Sequence, residues 1–385
     1  MDISFKFDPE VLIGADTLSM AGTIASRHGS RIMIAASHEL DGQLVSRLKD
    51  VLEDSGLDAI IFDGIEESSS AEMADNIVEL SCAAHCDAII GFGGQKTQII
   101  ARMAAIMAPM RISSLELLDG RIFHTKFLPF LSIPTEGMGP FSITDFFIAV
   151  DPRQRTIKSI QSPGNLYSAI IIDSNLFQFL SNPAAAQQAA AQQAAAAFIL
   201  ESTFAAVEAY CSTKANFFSD TLLERAISLY VRLLKSGVNG LNAETFAQAS
   251  FLTALGSSAS SPGVGAVLSA AINARTPIAK PLCSAALFPS LAERLVSARP
   301  EKMARLAALL GAGKAASVAE GAASSVDAIR RTMAALNVPA NLKEYNIPLD
   351  RLTAAAEAAR SLDITANSPW TVSEEEVFKI LKEIL

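Results

Sequence analysis

The stretch Asp87–Thr97 constrains the fold more than any other part of the chain. An apolar run leads into closely spaced glycines, and residues that favour a helix follow. This order predicts a buried strand, a glycine turn and a helix that begins near Gln95. Such a junction leaves backbone N–H groups pointing outward at a helix N-terminus, which is a favourable place for a phosphate group.

Three interpretations of this turn remain open. A nucleoside-triphosphate loop would need glycine in place of Ile90 and Gln95, so that only Lys96-Thr97 fits it. A plain tight turn beside a solvated lysine is the second. The third, which we favour, is a phosphate site for a dinucleotide. A lysine in the first turn of a helix costs about 0.3–1 kcal/mol unless an anion lies beside it.

Strand and helix signals alternate over residues 1–177. Continuous apolar strands between amphipathic helices predict an α/β domain with a parallel sheet covered on both faces. Ligands of such sheets bind at the carboxyl ends of the strands, where the glycine turn is expected. The predicted strands are Phe5–Phe7, Val11–Gly14, Arg31–Ala36, Asp58–Asp63, Asp87–Gly91, Phe130–Thr135 and Ala169–Ile172, with Phe146–Val150 and Thr156–Ile160 forming a hairpin.

Strand signals stop after Asn175, so residues 178–385 are expected to form an all-helical domain. The alanine- and glutamine-rich stretch Pro183–Ala197 is predicted to be part of one long helix that continues to Tyr210, because both residue types favour helices. The other predicted helices are Ser219–Leu234, Ala243–Leu255, Pro289–Val296, Pro300–Leu310, Val318–Leu336, Asp350–Ala358 and Val372–Leu385.

Charge and composition exclude several classes of function. A net charge of −9 argues against a nucleic-acid groove, and no segment is expected to be long and apolar enough to span a membrane. Four cysteines in 385 residues do not make a disulfide scaffold. A cytoplasmic setting is therefore expected.

Histidine is absent after His124, so no site in the second half of the chain can use an imidazole. A serine triad is not expected, since no Gly-x-Ser-x-Gly elbow is present either. Cys82, His85 and Cys86 have the spacing of metal ligands. However, they fall at a predicted helix end beside a buried strand, where cysteine acts as a small hydrophobe.

The order of the two domains resembles the iron-containing (group III) alcohol dehydrogenases and the related dehydroquinate synthases. The residues that carry the resemblance are Asp87–Lys96, Leu131–Thr135, Lys158–Ser162, Ala169–Asp173 and, most specifically, Val207–Asn216 with Ser219-Asp220. The resemblance implies an oxidoreductase that binds NAD or NADP between its domains together with a small-molecule substrate. It also implies a homodimer.

The family's cofactor contacts carry over unevenly. Gly93, Gly94, Thr135 and Lys158 match positions that contact phosphate or ribose in the family. Gln95 and Lys96 replace a glycine and a serine of the phosphate loop, and Ile99 replaces an aspartate. The position of the acidic residue that binds the adenosine ribose in the family falls near Ser37, so that this acidic residue is lost and the preference for NAD is weakened. Glu136–Pro140 replaces a loop rich in threonine and serine.

The family's metal ligands are an aspartate and three histidines. Counting from Val207–Asn216 and from Leu282–Pro289, which resemble segments near the ligands, places other residues there. The four positions hold Glu201, Ala205, Ala266 and Lys280. Only one of them keeps an oxygen ligand, so we expect neither iron nor zinc. We expect the Lys280 ammonium to replace the metal cation and to pair with Glu201.

Two classes of function follow. In the first, the chain is a metal-independent oxidoreductase in which Lys280 and Glu201 are the catalytic residues. In the second, it is a non-catalytic relative that binds a nucleotide or another anion as a sensor or scaffold. Binding of a dinucleotide in the first class depends on the glycine turn.

Overall fold

The computed structural model describes residues 5–67, 69–121, 126–177, 189–237 and 242–385. The chain divides into two compact units. One comprises Met1–Met138, Thr144–Gln154 and Lys158–Gln178, and the other comprises Gly139–Ile143, Arg155–Ile157 and Phe179–Leu385.

The first unit is built on six parallel strands, which confirms the predicted sheet. Their order across the sheet is β1-β8-β5-β4-β2-β3, so the strand that leads into the glycine turn lies in the middle. Central strands of such a sheet are covered on both faces, and every residue of β4 and β5 is buried. The strands are β1 (Glu10–Gly14), β2 (Arg31–Ser37), β3 (Asp58–Ile65), β4 (Ala88–Gly93), β5 (Phe130–Pro134) and β8 (Tyr167–Asp173).

Helices follow most of these strands and cover the sheet. The helices are α1 (Ala21–Ala25), α2 (Gly42–Glu53), α3 (Met73–Ala83), α4 (Gln95–Met107) and α5 (Ser114–Leu118). The predicted hairpin is also present as a separate two-stranded sheet of β6 (Phe146–Asp151) and β7 (Thr156–Gln161).

Two predictions near the N-terminus are wrong. Phe5–Phe7 is not a strand. β1 begins at Glu10, which pairs with Ala169, and β8 itself begins only at Tyr167, so the pairing of these two strands does not extend back to Phe5–Phe7. The sequence also predicts a helix that is capped by Asp16 or Thr17 and runs to about His28, but the chain forms a 3₁₀ turn followed by the short α1. Asp16 has a φ of 60° and makes no cap with its side chain, so it does not start a helix as predicted.

The described residues of the second unit are mainly helical. These helices are α6 (Ala189–Cys211), α7 (Phe217–Ser236), α8 (Ala243–Ser258), α9 (Val264–Arg275), α10 (Lys280–Ala298), α11 (Pro300–Leu310), α12 (Val318–Ala335), α13 (Leu349–Arg360) and α14 (Glu374–Glu383). The predicted long helix is present from Ala189, and its expected beginning at Pro183 lies outside the described residues.

Sequence reasoning missed α9 and the first half of α10. Most of α9 is buried on all sides, so it lacks the polar face that gives a helical period. The helix containing Pro289 begins at Lys280, not at the proline. A proline inside a buried helix removes one hydrogen bond but does not have to end the helix.

The expectation that no segment has the length and apolarity of a membrane span is also wrong. Ala191–Cys211 in α6 meets both conditions, with a mean hydropathy of 1.3. However, 89% of an apolar 18-residue window within that stretch is buried inside the protein. Its apolar surface therefore packs against other helices.

Candidate functional site

The glycine turn lies at the carboxyl end of β4. Gly93 ends the strand, Gly94 precedes the helix, and α4 begins at Gln95 as predicted. Gly93 has a φ of 156°, and a Cβ there would lie 2.8 Å from the Ser37 Cβ. Both the backbone angle and the close approach of β2 therefore require glycine at this position.

Gln98 holds the turn in shape from one turn inside α4. Its Nε2 donates to the carbonyl oxygens of Gly91, Gly93 and Ile133 at 2.8, 3.3 and 3.2 Å. Its Oε1 accepts from the Ser132 hydroxyl at 2.8 Å. One side chain thus joins β4 to β5. Sequence reasoning missed this residue, because a polar residue in a first helical turn looks solvent-exposed.

Thr135 and Glu136 follow β5 directly and lie beside the turn. The Thr135 N–H donates to the Gly93 oxygen at 3.1 Å, and Thr135 is buried. The Glu136 carboxylate lies against Gly94, where an added Cβ would be 2.2 Å from Oε2. The structure therefore brings together Ser37, the glycines and Thr135, which the sequence selected, and adds a carboxylate that it did not select.

A second carboxylate lies at the end of β2. The Ser37 hydroxyl donates to Glu39 Oε2 at 2.5 Å, and the Glu67 amide donates to Oε1 at 2.9 Å. Partial desolvation works against ionisation, but the hydrogen bonds from Ser37 and Glu67 outweigh it and lower the pKa of Glu39. The sequence predicts no acidic group near Ser37, and the structure places this carboxylate two positions after it.

The two lysines selected from the sequence lie on different elements. Lys96 is in the first turn of α4, next to Gln95. Lys158 lies on β7, outside the six-stranded sheet. Its positive charge helps to lower the pKa values of Asp119 and Asp151, whose largest cause in each case is a hydrogen bond from Arg153.

The second unit contains the expected ion pair. Lys280 Nζ, at the start of α10, lies 2.5 Å from Glu201 Oε1 on α6. The Glu201 side chain is 8% exposed and that of Lys280 is 21% exposed. Ser284, one helical turn after the lysine, donates to the same oxygen at 3.5 Å. A nearly buried carboxylate is thus neutralised by an ammonium group that solvent still reaches.

The other two positions matched to metal ligands hold alanine. Ala205 and Ala266 are both buried and offer no donor atom. Among the residues that the structure describes, no three of His, Cys, Asp and Glu are grouped so as to hold a metal ion. At Cys82–Cys86, burial raises the pKa of the Cys86 thiol to about 11.

Glu208 is a further buried carboxylate of α6. Its two oxygens accept from the backbone N–H groups of Gly265 and Ala266 at 2.7 and 3.1 Å. These groups lie in the first turn of α9, so Glu208 caps that helix in place of Gly263, which has no side chain. Burial raises the pKa of Glu208 to about 7, against the lowering effect of the two hydrogen bonds.

Comparison with known proteins identifies the family. The sequence model of iron-containing alcohol dehydrogenase matches residues 8–174. The model of the C-terminal part of the Fe-containing alcohol dehydrogenase family matches residues 199–385. Together the two matches span most of the chain. The chain belongs to the iron-containing alcohol dehydrogenase family.

Two proteins of similar sequence are named as an alcohol dehydrogenase and an aldehyde reductase. The chain is 24% identical to 1,3-propanediol dehydrogenase of Citrobacter freundii over 337 residues, covering 86% of this chain and 84% of that protein. It is 22% identical to sulfoacetaldehyde reductase of Bilophila wadsworthia over 371 residues, which cover 94% of this chain and 93% of that protein.

Solved structures show the same fold. A 1,3-propanediol oxidoreductase superposes with a TM-score of 0.89 at 22% identity, covering 100% of both chains. The sulfoacetaldehyde reductase of Bifidobacterium kashiwanohense in complex with NAD⁺ gives 0.80 at 15% identity, covering 100% of this chain and 99% of that one. At these identities the likeness establishes the fold of an iron-containing alcohol dehydrogenase.

Of the two paired residues, Glu201 offers oxygen donors to a metal ion and Lys280 offers none. A protonated lysine has no lone pair to offer a metal, and its positive charge would repel one. Alanine at the two remaining positions supplies no ligand, whereas Fe²⁺ and Zn²⁺ sites use several N, O or S donors.

Proposed function

We propose that this chain is a nicotinamide-dependent oxidoreductase that reduces a small carbonyl compound, or oxidises the corresponding alcohol, without a bound metal ion. The observation that carries the proposal is the contact of 2.5 Å between Lys280 Nζ and Glu201 Oε1. The two residues occupy positions that match two of the family's metal ligands. A fixed positive charge thus stands where the family is expected to hold a cation.

Lys280 would take over the electrostatic work of that cation. A carbonyl oxygen becomes negative as its carbon accepts a hydride, and an ammonium hydrogen bond stabilises that charge. Glu201 holds the lysine in place, and Ser284 helps to hold the carboxylate. A nicotinamide supplies the hydride when it is bound. The oxygen takes a proton from the Lys280 ammonium, which solvent water then reprotonates, so that the carbonyl becomes an alcohol as the cofactor is oxidised.

The proposed phosphate contacts are the backbone N–H groups that follow Gly93 and Gly94, with Gln95 and Lys96 in the first turn of α4. A glycine turn at a helix N-terminus favours a phosphate. Thr135, Ser37 and Glu39 lie at the same edge of the sheet. The relative solved with NAD⁺ supports a dinucleotide as the ligand, since it shares this fold.

Glu39 favours NAD over NADP in this proposal. Its carboxylate is held at the end of β2 by Ser37 and the Glu67 amide. A carboxylate at the end of the second strand accepts a hydrogen bond from a ribose hydroxyl and repels a 2′-phosphate. Lys158 stays a predicted cofactor contact.

Calorimetric titration of the purified protein with NAD⁺, NADP⁺ and ADP tests the cofactor, and elemental analysis of the same sample tests the metal. We expect NAD⁺ to bind, and iron and zinc to be well below one atom per chain. Reduction of short aldehydes by NADH should persist in a chelator and should be lost in Lys280→Met.

Two results would overturn parts of this proposal. Stoichiometric iron or zinc that is needed for turnover would refute the metal-independent reaction. Failure of all three nucleotides to bind at millimolar concentration would refute the cofactor. The second result would leave the alternative function, in which the chain is a non-catalytic relative that binds another anion.

A further inference from the structure

Glu136 is the charged side chain at the glycine turn that the proposed function does not use. Its carboxylate packs against Gly94 so closely that a Cβ there would lie 2.2 Å from Oε2, 2.5 Å from Cδ and 2.9 Å from Oε1. All three atoms of the carboxylate group therefore lie in the space that a side chain at Gly94, the residue before α4, would fill.

The register of two strands brings Glu136 to this place. Gly93 at the end of β4 lies opposite Pro134 at the end of β5. The Thr135 N–H then donates to the Gly93 oxygen at 3.1 Å, which fixes the chain as it leaves β5. The next residue, Glu136, therefore lies beside the glycine turn. Its position is determined by the pairing of β4 with β5 in the buried core of the sheet.

This contact places the negatively charged Glu136 carboxylate at the N-terminus of α4. Gly94 has no side chain with which to cap α4, and no side-chain cap from it is present. The first turn of a helix carries a partial positive charge and attracts negative groups. A glutamate carboxylate satisfies that attraction as a phosphate would.

We propose that Glu136 determines the affinity of the glycine turn for phosphate, because its carboxylate occupies the place that a dinucleotide pyrophosphate would take. The inference rests on the proposed cofactor site. Two anions at contact distance repel each other, most strongly where solvent is partly excluded. A dinucleotide therefore binds only when the Glu136 side chain moves away from Gly94. A ligand without phosphate does not meet this obstacle.

Removing the carboxylate tests the inference directly. Calorimetry should compare ADP and adenosine binding to the full chain and to Glu136→Ala. We expect ADP to bind about tenfold or more tightly to Glu136→Ala, a change that corresponds to the loss of one close like-charge contact. Adenosine should bind equally to both. Glu136→Gln, which keeps the size of the side chain, should fall between them for ADP.

Glu79→Ala is the matched control, because Glu79 is an exposed glutamate of α3 and its loss changes the net charge equally. ADP affinity should be unchanged in this variant. Equal ADP affinity in the original chain and in Glu136→Ala would overturn the inference and leave the cofactor site standing. Absence of ADP binding in both proteins would overturn both. A gain for adenosine as large as that for ADP would show a steric effect and would also overturn the inference.

Discussion

Lys280 Nζ lies 2.5 Å from Glu201 Oε1, and the carboxylate is the more deeply buried of the two groups. This difference in burial determines how much the protein is destabilised when one or the other partner is removed. A buried charge left without its partner keeps its full cost of desolvation, whereas an exposed one is rehydrated. Removing the Lys280 ammonium is therefore expected to destabilise the fold more than removing the Glu201 charge.

Lys280→Met should lower the free energy of unfolding by about 2–4 kcal/mol, and Glu201→Gln by about 1 kcal/mol. The double variant should lose less than the sum of the two changes. Denaturant titration of the four proteins measures this coupling. The exposed pair of Arg330 and Glu293, at 2.6 Å, is the control, and breaking it should cost about 0.5 kcal/mol or less. Equal losses for Lys280→Met and Glu201→Gln would contradict the assigned burial.

Glu208 should make stability depend on pH. Its pKa is about 7 in the folded chain and 4.5 as a free side chain, so between these values the folded state holds a proton that the unfolded chain has released. Stability is therefore full below pH about 4.5 and is lost as the pH rises through about 7, by up to about 3 kcal/mol.

Thermal unfolding from pH 5 to pH 8 measures this loss. Glu208→Gln keeps one acceptor for the α9 amides but does not titrate, so its stability should change less over this range. A curve for Glu208→Gln that runs parallel to the original would show that the pH dependence comes from other groups.

Glu39→Gln should weaken NAD⁺ binding by about tenfold and leave NADP⁺ binding unchanged or slightly stronger, because it removes the charge at the end of β2. Calorimetric dissociation constants for both nucleotides give the ratio. Glu79→Gln serves as a charge-matched control. If the NAD⁺:NADP⁺ ratio is the same in all three proteins, Glu39 does not contact the ribose.

Alanine substitutions at the two glycines of the turn should differ. Gly93→Ala should cost about 2–3 kcal/mol, since its φ of 156° is strained for alanine and its Cβ would meet Ser37 at 2.8 Å. The three atoms nearest to a Cβ at Gly94 belong to the flexible end of Glu136, so Gly94→Ala should cost about 1 kcal/mol or less. Chemical denaturation of each variant with and without Glu136→Ala provides the test. The second substitution should remove the cost at Gly94 but not at Gly93.

The parallel sheet and the glycine turn could be predicted because they depend on local signals. Apolar runs such as that ending at Gly91 give strands directly, and the following glycines give the turn. Pairing of Lys280 with Glu201 could be predicted because both residues were placed by their distance from recognisable segments. Neither inference needed knowledge of which strands are neighbours.

The remaining contacts of the site depend on relations between distant segments. Glu136 reaches Gly94 only because of the register of β4 with β5, and Glu208 reaches Gly265 across 57 positions of sequence. The α9 helix was missed for a related reason, since residues buried on every side leave no period to recognise. Tertiary packing determines these two contacts and the α9 helix, and it cannot be read from the pattern of a single sequence.

The hydrogen bonds of Gln98 have a consequence for ligand binding at the turn. Because one amide joins three carbonyl oxygens and a hydroxyl, the conformational entropy of the turn is lost when the protein folds, before any ligand arrives. An anion that binds there orders little additional backbone. Gln98→Leu would shift that entropic cost from folding to binding, so that affinity would fall even though the ligand never touches this residue.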